Sequence, residues 1–163
     1  MLGNMAHPAA SALFLREAEL RRGIELLAFG HAALLRAADA RLAELGLGRA
    51  HARALYFIAR APDATVTQLL GLLGVTKQSF GRVQGELVAR GLIEARPGPR
   101  DRRERRLHLT EAGRALEAEL FDLVRAKLAA AYAAAGQGAV GGFWAVLEEL
   151  VPGEERRLLA GLG

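Results

Sequence analysis

The run TVTQLLGLLGVTKQSFGRVQGELVARGLIEARPGPRDRRERRLHLT, from Thr65 to Thr110, decides the fold. Thr65 and Thr67 offer side-chain oxygens to cap a first helix, whose Leu69, Leu70, Leu72 and Leu73 crowd one side until Gly74 stops it. Thr76 then caps a second helix. Phe80, Val83 and Leu87 fall at i, i+3 and i+7 and form a stripe that packs against the first helix. The opposite face carries Gln78, Gly81, Arg82, Gly85 and Ala89, with Lys77 and Ser79 on its flanks. Gln and Arg beside small residues suit the DNA major groove, where Arg pairs bidentately with guanine and Gln with adenine. Read plainly, the same face is an ordinary solvated one.

Gly91 reads as the C-cap of the second helix. Leu92 to Arg96 then leads into Pro97-Gly98-Pro99, and Arg105 to Leu109 returns with Leu107 and Leu109 alternating against Arg106 and His108. Period two on both sides of a Pro/Gly loop predicts a β-hairpin. Its tip and flanks carry Arg96, Arg100, Arg102, Arg103, Arg105 and Arg106, whose mutual repulsion predicts an extended loop until an anion neutralises it. Such a wing suits an A·T-rich minor groove, where negative potential is concentrated. Thr76 to Thr110 holds nine basic residues against four acidic ones, a net of +5, while the whole chain carries +4. The positive charge is therefore a patch beside the helix pair, an electrostatic footprint for phosphate.

These residues also carry a resemblance. LLGLLGVT (Leu69 to Thr76) and GLIEARPGPRDRRERRLHLTEAGR (Gly91 to Arg114), with the flanking helical segments, resemble the MarR family of winged helix-turn-helix transcriptional regulators. The most specific piece is Asp101-Arg102-Arg103 followed by Leu109-Thr110-Glu111-Ala112-Gly113. The resemblance implies that Asp101 orients a wing arginine by a salt bridge and that Arg103 or Arg102 enters the minor groove. It also implies that Lys77, Gln78, Ser79 and Arg82 meet the major groove. With Thr76 at the helix start and Arg100 and Arg105 on the wing, these make the candidate DNA-contact set. One departure is Leu70, which stands where the family usually has a small residue inside the first helix of the pair.

At 163 residues and 52% hydrophobic composition, the chain has material for one domain with a sizeable core. Few aromatics among many Ala and Leu favour helix-on-helix packing, so the expected fold is mainly α with a small β-hairpin wing. Residues 1–12 read as a loose N-terminal arm and 13–163 as a single domain. Within it, 49–110 form the winged core, and 13–48 and 111–163 supply dimerisation helices. A helical pattern runs from Leu13 to Leu45, and Gly23 and Gly30 interrupt it with either a kink or a division into two helices. A second helix spans about Arg49 to Arg60. After the wing, Thr110 opens a helix reaching about Ala135, Gly136-Gln137-Gly138 breaks it, and Phe143 to Leu150 form a short one before a last turn carrying Leu158 and Leu159. Both ends of the chain are richer in apolar positions than a small core requires, which predicts that they meet a partner's ends; the plain alternative is that they wrap the winged core.

No cysteine is present, which excludes disulfides, thiol-based sensing and Cys-ligated zinc. No apolar run approaches the length of a membrane span and no signal peptide is legible, so a cytoplasmic protein with no membrane association is expected. His7, His31, His51 and His108 are scattered, no serine sits in a nucleophile elbow, and the glycines match no phosphate-binding loop. No enzyme activity, cofactor or metal is expected. The expected function is a homodimeric repressor that binds a pseudo-palindromic operator in double-stranded DNA. The alternatives are a winged-helix protein-interaction module docking an acidic partner and an RNA-binding winged domain. The resemblance further implies a small-molecule effector held where the dimerising helices meet the winged core. Candidates there are Phe29, His31, Tyr56, Phe57 and Trp144, each of which also fits the plainer reading of a core aromatic or a satisfied histidine.

Overall fold

The structure, a computed structural model, describes residues 13–162; the expected arm at 1–12 lies outside the described residues. A short 3-10 turn (Leu13–Leu15) precedes α1 (Glu17–Arg36), α2 (Asp39–Glu44), α3 (Arg49–Arg60), α4 (Val66–Leu73) and α5 (Lys77–Ala89). The hairpin β1 (Ile93–Pro97) and β2 (Arg105–Leu109) follows, then α6 (Glu111–Ala135), α7 (Gln137–Leu150) and α8 (Gly153–Ala160). The fold is mainly α with a small two-stranded antiparallel wing, as expected. Its register pairs Ile93 with Leu109 and Pro97 with Arg105, which turns Leu107 and Leu109 inward.

The helix pair begins and ends where its capping residues stand. Thr65 Oγ1 accepts from the Gln68 N–H at 3.1 Å while Gln68 Oε1 accepts from the Thr65 N–H at 2.9 Å, a reciprocal capping box. Gly74 and Gly91, at φ +62° and +66°, terminate α4 and α5 in the left-handed conformation, and Val75 and Leu92 N–H groups reach back to the Leu70 and Leu87 carbonyls. Beyond the hairpin, Thr65 makes an antiparallel bridge to Arg106, so the segment entering α4 lies against β2. That pairing was not legible in the sequence.

Two helix boundaries differ from the periodicity reading. Helix α1 passes through Gly23 and Gly30 unbroken, because about 1 kcal/mol per glycine is less than the loss of a helical turn. The bend comes instead at Ala37–Ala38, where three-residue hydrogen bonds to Leu34 and Leu35 let α2 swing Ala38 and Leu42 into the core. At the other end Gly136 alone, at φ +85°, makes the break. Helix α7 starts at Gln137 and includes Gly138, Gly141 and Gly142, so it is longer than the apolar run Phe143 to Leu150 suggested.

The core is built around α3, whose Ala54 and Leu55 are fully buried, between α4, α5, β2 and the first half of α6. Ala38, Leu42 and Leu47 from one side and Leu116 and Leu120 from the other join the same cluster as Leu69, Leu73, Phe80 and Leu87. The hydrophobic core therefore runs across residues 48/49 and 110/111. In contrast, α1, α7 and α8 contain no buried side chain. Helix α1 exposes Ile24, Leu26 and Phe29, and α7 exposes Trp144, Val146 and Leu150. Helix α8 lies on α4, with Leu158 against Gly71 and the Arg60 guanidinium donating to the Leu162 carbonyl at 3.0 Å. Among the described residues no helix is long and apolar enough to cross a membrane.

Candidate nucleic-acid interface

Burying Phe80 and Leu87, with Val83 half-buried, fixes the rotation of α5 and leaves Lys77, Gln78, Gly81, Arg82, Gly85 and Ala89 exposed. At the helix start, Thr76 Oγ1 accepts the Ser79 N–H at 3.2 Å, and the Ser79 hydroxyl donates to the Thr76 carbonyl at 3.0 Å. Both hydroxyls of the candidate set thus serve the cap. Lys77 and Gln78 stand beside them at the positive end of the helix dipole, which favours an anion. A Cβ built on Gly81 or Gly85 would meet nothing within 4 Å, so no packing inside the protomer demands either glycine.

Arg82 is the best-organised member of the face. Its Nε donates to Glu86 Oε1 at 2.9 Å while the side chain stays 88% exposed. The other Glu86 oxygen lies 2.6 Å from Nε2 of His51, a residue of α3 with only 12% of its side chain exposed. His51 Nδ1 accepts the Gly48 N–H at 3.0 Å, so that nitrogen carries no proton and Nε2–H is the donor to Glu86. The Arg82 guanidinium first, and the His51 imidazole second, hold the Glu86 carboxyl below its ordinary pKa. His51 and Glu86 were missed at the level of sequence, although His51 three residues after Gly48 and Glu86 four after Arg82 were both in view.

The nine basic residues of the patch do not all face outward as free cations. Arg90 ends α5 and donates to the carbonyls of Leu45 and Gly46, at 2.6 and 3.2 Å, tying the helix tail to the α2–α3 turn. Arg96 pairs with Glu94, and Arg106, its side chain 18% exposed, lies 3.5 Å from Glu104. Arg100, Arg102, Arg103 and Arg105 are exposed on the wing, and no ion pair involving them occurs among the described residues.

The wing loop is closed, contrary to the extended loop that repulsion alone predicts. The Gly98 N–H donates to the Glu104 carbonyl at 2.8 Å and the Glu104 N–H to the Asp101 carbonyl at 3.1 Å. Gly98 is buried in this turn, with the Asp101 carbonyl 2.8 Å from where a Cβ would stand. Asp101 acts through the backbone: its carboxylate accepts the Arg103 N–H at 2.9 Å, an Asx-type turn in place of the expected salt bridge to an arginine side chain. Main-chain bonds offset the repulsion that side-chain counting emphasised.

The structure does not bring the five candidate effector residues together. Phe29 and His31 are exposed on α1, Tyr56 lies against Phe57 and Phe121, and the Trp144 Nε1–H donates to the Tyr132 hydroxyl at 2.7 Å. None of the five lines either of two clefts: about 370 Å³ between α8 and the start of α4, and about 350 Å³ between the wing, α3 and α6.

A model of the MarR family matches residues 45–104, from the turn before α3 through α4, α5 and β1 to the wing loop. The chain is 49% identical over 145 residues to the HTH-type transcriptional regulator PetP of Rhodobacter capsulatus, covering 89% of this chain and 87% of that protein. The fold is similar to that of a mutant MarR from E. coli complexed with operator DNA, with a TM-score of 0.66, 24% identity, and coverage of 87% of this chain and 100% of that one. It is also similar to Streptococcus pneumoniae FabT in complex with DNA, with a TM-score of 0.70, 22% identity, and coverage of 80% and 94%.

Proposed function

Because the chain belongs to the MarR family of winged helix-turn-helix transcriptional regulators, we propose that it works as a cytoplasmic, non-enzymatic homodimer that reads a pseudo-palindromic duplex operator and represses by occupying it. The observation that carries this reading is the pairing, on one rigid head, of an α5 face stripped to Gln78, Arg82 and glycines with a closed wing presenting four exposed arginines. Gln78 and Arg82 are assigned to base edges, Lys77 and the α5 N-terminus to phosphate, and Arg102 or Arg103 to the minor groove. The unburied apolar faces of α1 and α7 supply the dimer, and the two copies of α5 would then sit about 34 to 36 Å apart, one turn of B-DNA. An effector, as in the family resemblance, would act on that dimer rather than within the protomer, where the candidate aromatics are dispersed.

Selection of bound fragments from random duplex DNA tests the reading. One sequence should emerge, its two halves related by inversion. Arg82→Ala should then cost about 1 to 3 kcal/mol on that duplex and flatten the preference among sequences. Equal weakening on every duplex would make Arg82 a phosphate contact. Absence of any preference, with retained binding to acidic protein or to RNA, would favour the protein-docking or RNA-binding alternatives.

The wing gives a separate test through salt. Arg103→Ala should lower affinity and reduce the slope of log K against log salt by roughly one. Asp101→Ala removes a negative charge, yet binding should weaken, because the Arg103 N–H loses the carboxylate that closes the turn. Tighter binding by Asp101→Ala across a salt titration would mean that simple charge outweighs loop geometry.

A further inference from the structure

We propose that Glu86 and His51 are positioning residues that set the pose in which Arg82 reads a base, and so determine sequence discrimination without touching DNA. This rests on the duplex-reading role proposed above. A chain of hydrogen bonds starts at the main chain of the α2–α3 turn: Gly48 N–H to His51 Nδ1 at 3.0 Å, His51 Nε2–H to Glu86 Oε2 at 2.6 Å, and Arg82 Nε–H to Glu86 Oε1 at 2.9 Å. Each link fixes the next. The Gly48 contact selects the His51 tautomer, the tautomer supplies the donor that orients the carboxylate, and the carboxylate engages Nε and leaves the outer edge of the Arg82 guanidinium to an acceptor in the groove. Bidentate recognition of guanine needs that edge presented in one plane, and an arginine 88% exposed has no packing of its own to provide it. The same turn also receives Arg90 through the Leu45 and Gly46 carbonyls, so α5 is registered against it at both Glu86 and Arg90.

Charge counting and positioning predict opposite things. Removing the Glu86 charge beside DNA should help binding to any duplex if the carboxylate is only an electrostatic burden. If it positions Arg82, Glu86→Gln should lower the affinity ratio between the selected operator and a permuted duplex by about tenfold, while affinity for the permuted duplex holds or rises. The glutamine amide offers one oxygen where two donors converge, so one partner is released.

His51 separates positioning from simple support of the fold. His51→Asn places an amide oxygen near the Nδ1 position, keeps the Gly48 contact, and leaves Glu86 without its donor; His51→Gln places an amide N–H near the Nε2 position and keeps it. The experiment is a titration of the full-length wild type and the three variants against operator and permuted duplexes, with thermal melts alongside. We expect His51→Asn to melt near the wild type yet lose discrimination about as far as Glu86→Gln, and His51→Gln to retain it. Discrimination within about twofold of wild type in both Glu86→Gln and His51→Asn would overturn the proposal. So would a fall in both affinities in proportion to a lowered melting temperature, which marks a purely structural role. A wild type without preference would take down the duplex-reading function together with this inference, whereas normal wild-type preference with insensitive variants removes this inference alone.

Discussion

Gly113→Ala should destabilise the protein by about 3 kcal/mol, at the upper end of what overpacking costs, lowering the melting temperature by roughly 6 to 12 °C for a chain of this size. Gly113 is buried in the first turn of α6, and a Cβ there would lie 1.9 Å from the Leu92 carbonyl oxygen and 2.9 Å from the carbonyl carbon. Both are backbone atoms, so no side-chain rotation relieves the clash. The oxygen is already engaged, accepting the Thr110 N–H at 3.1 Å, while Thr110 Oγ1 donates to the Gly91 carbonyl at 2.6 Å and accepts the Gly113 N–H at 3.0 Å. Helix α6, the end of β2 and the turn after α5 are therefore tied at Thr110, and lifting α6 with its cap away would break the two bonds to the Gly91 and Leu92 carbonyls. Gly81→Ala and Gly85→Ala are the controls. Their Cβ atoms meet nothing within the protomer, so each should stabilise α5, by up to about 1 kcal/mol. A melting temperature of Gly113→Ala equal to that of Gly81→Ala would show that α6 is not seated as described.

The second large effect concerns the stem, the helices α1 and α7 whose apolar faces lie outside the core. Val146 and Leu150 are each 62% exposed and lie one turn apart on α7, which buries none of its residues in the protomer. Replacing them as Val146→Glu with Leu150→Lys leaves the net charge unchanged and supplies an i, i+4 pair that supports the helix. The double variant should sediment as a monomer and melt as a folded chain. Its affinity for a duplex bearing both half-sites should fall about 10²- to 10⁴-fold, the loss expected when two linked contacts become one, while affinity for an isolated half-site should hold. Retention of the dimer would place the interface away from this face of α7.

The elements that the sequence made legible are those whose signals are local. Thr65, Thr76 and Thr110 cap the helices that follow them, Gly74 and Gly91 end α4 and α5, and the alternation through Leu107 and Leu109 defines β2. What was not legible depends on partners distant in sequence. Nothing local to Arg90 says that it grips carbonyls 44 and 45 residues earlier, nor does anything beside His51 name Glu86 across 35 residues. Composition places Arg90 and Arg106 in the basic patch, but only contacts show that one grips carbonyls and the other lies beside Glu104. The Asp101 turn was hidden for a different reason, since a carboxylate among arginines invites a side-chain pairing while a backbone N–H is invisible in a sequence. The glycine in LTEAGR was legible as part of a resemblance, but its cause, the carbonyl of Leu92 pressed against it, needed three dimensions.

Helix α1 is 20 residues long and buries none of them. With helix propensity as its main internal support it is marginal alone, and a partner covering the exposed Ile24, Leu26 and Phe29 would add most of its stability. In the proposed dimer that cover is a second copy, and mass action then links folding of the stem to protein concentration. Operator occupancy would respond to the square of the total protein concentration when the chain is scarce and the protomers are apart, and linearly once nearly every chain is paired. In that dimer, apolar stripes left outside the core would convert the amount of protein into a threshold for operator binding.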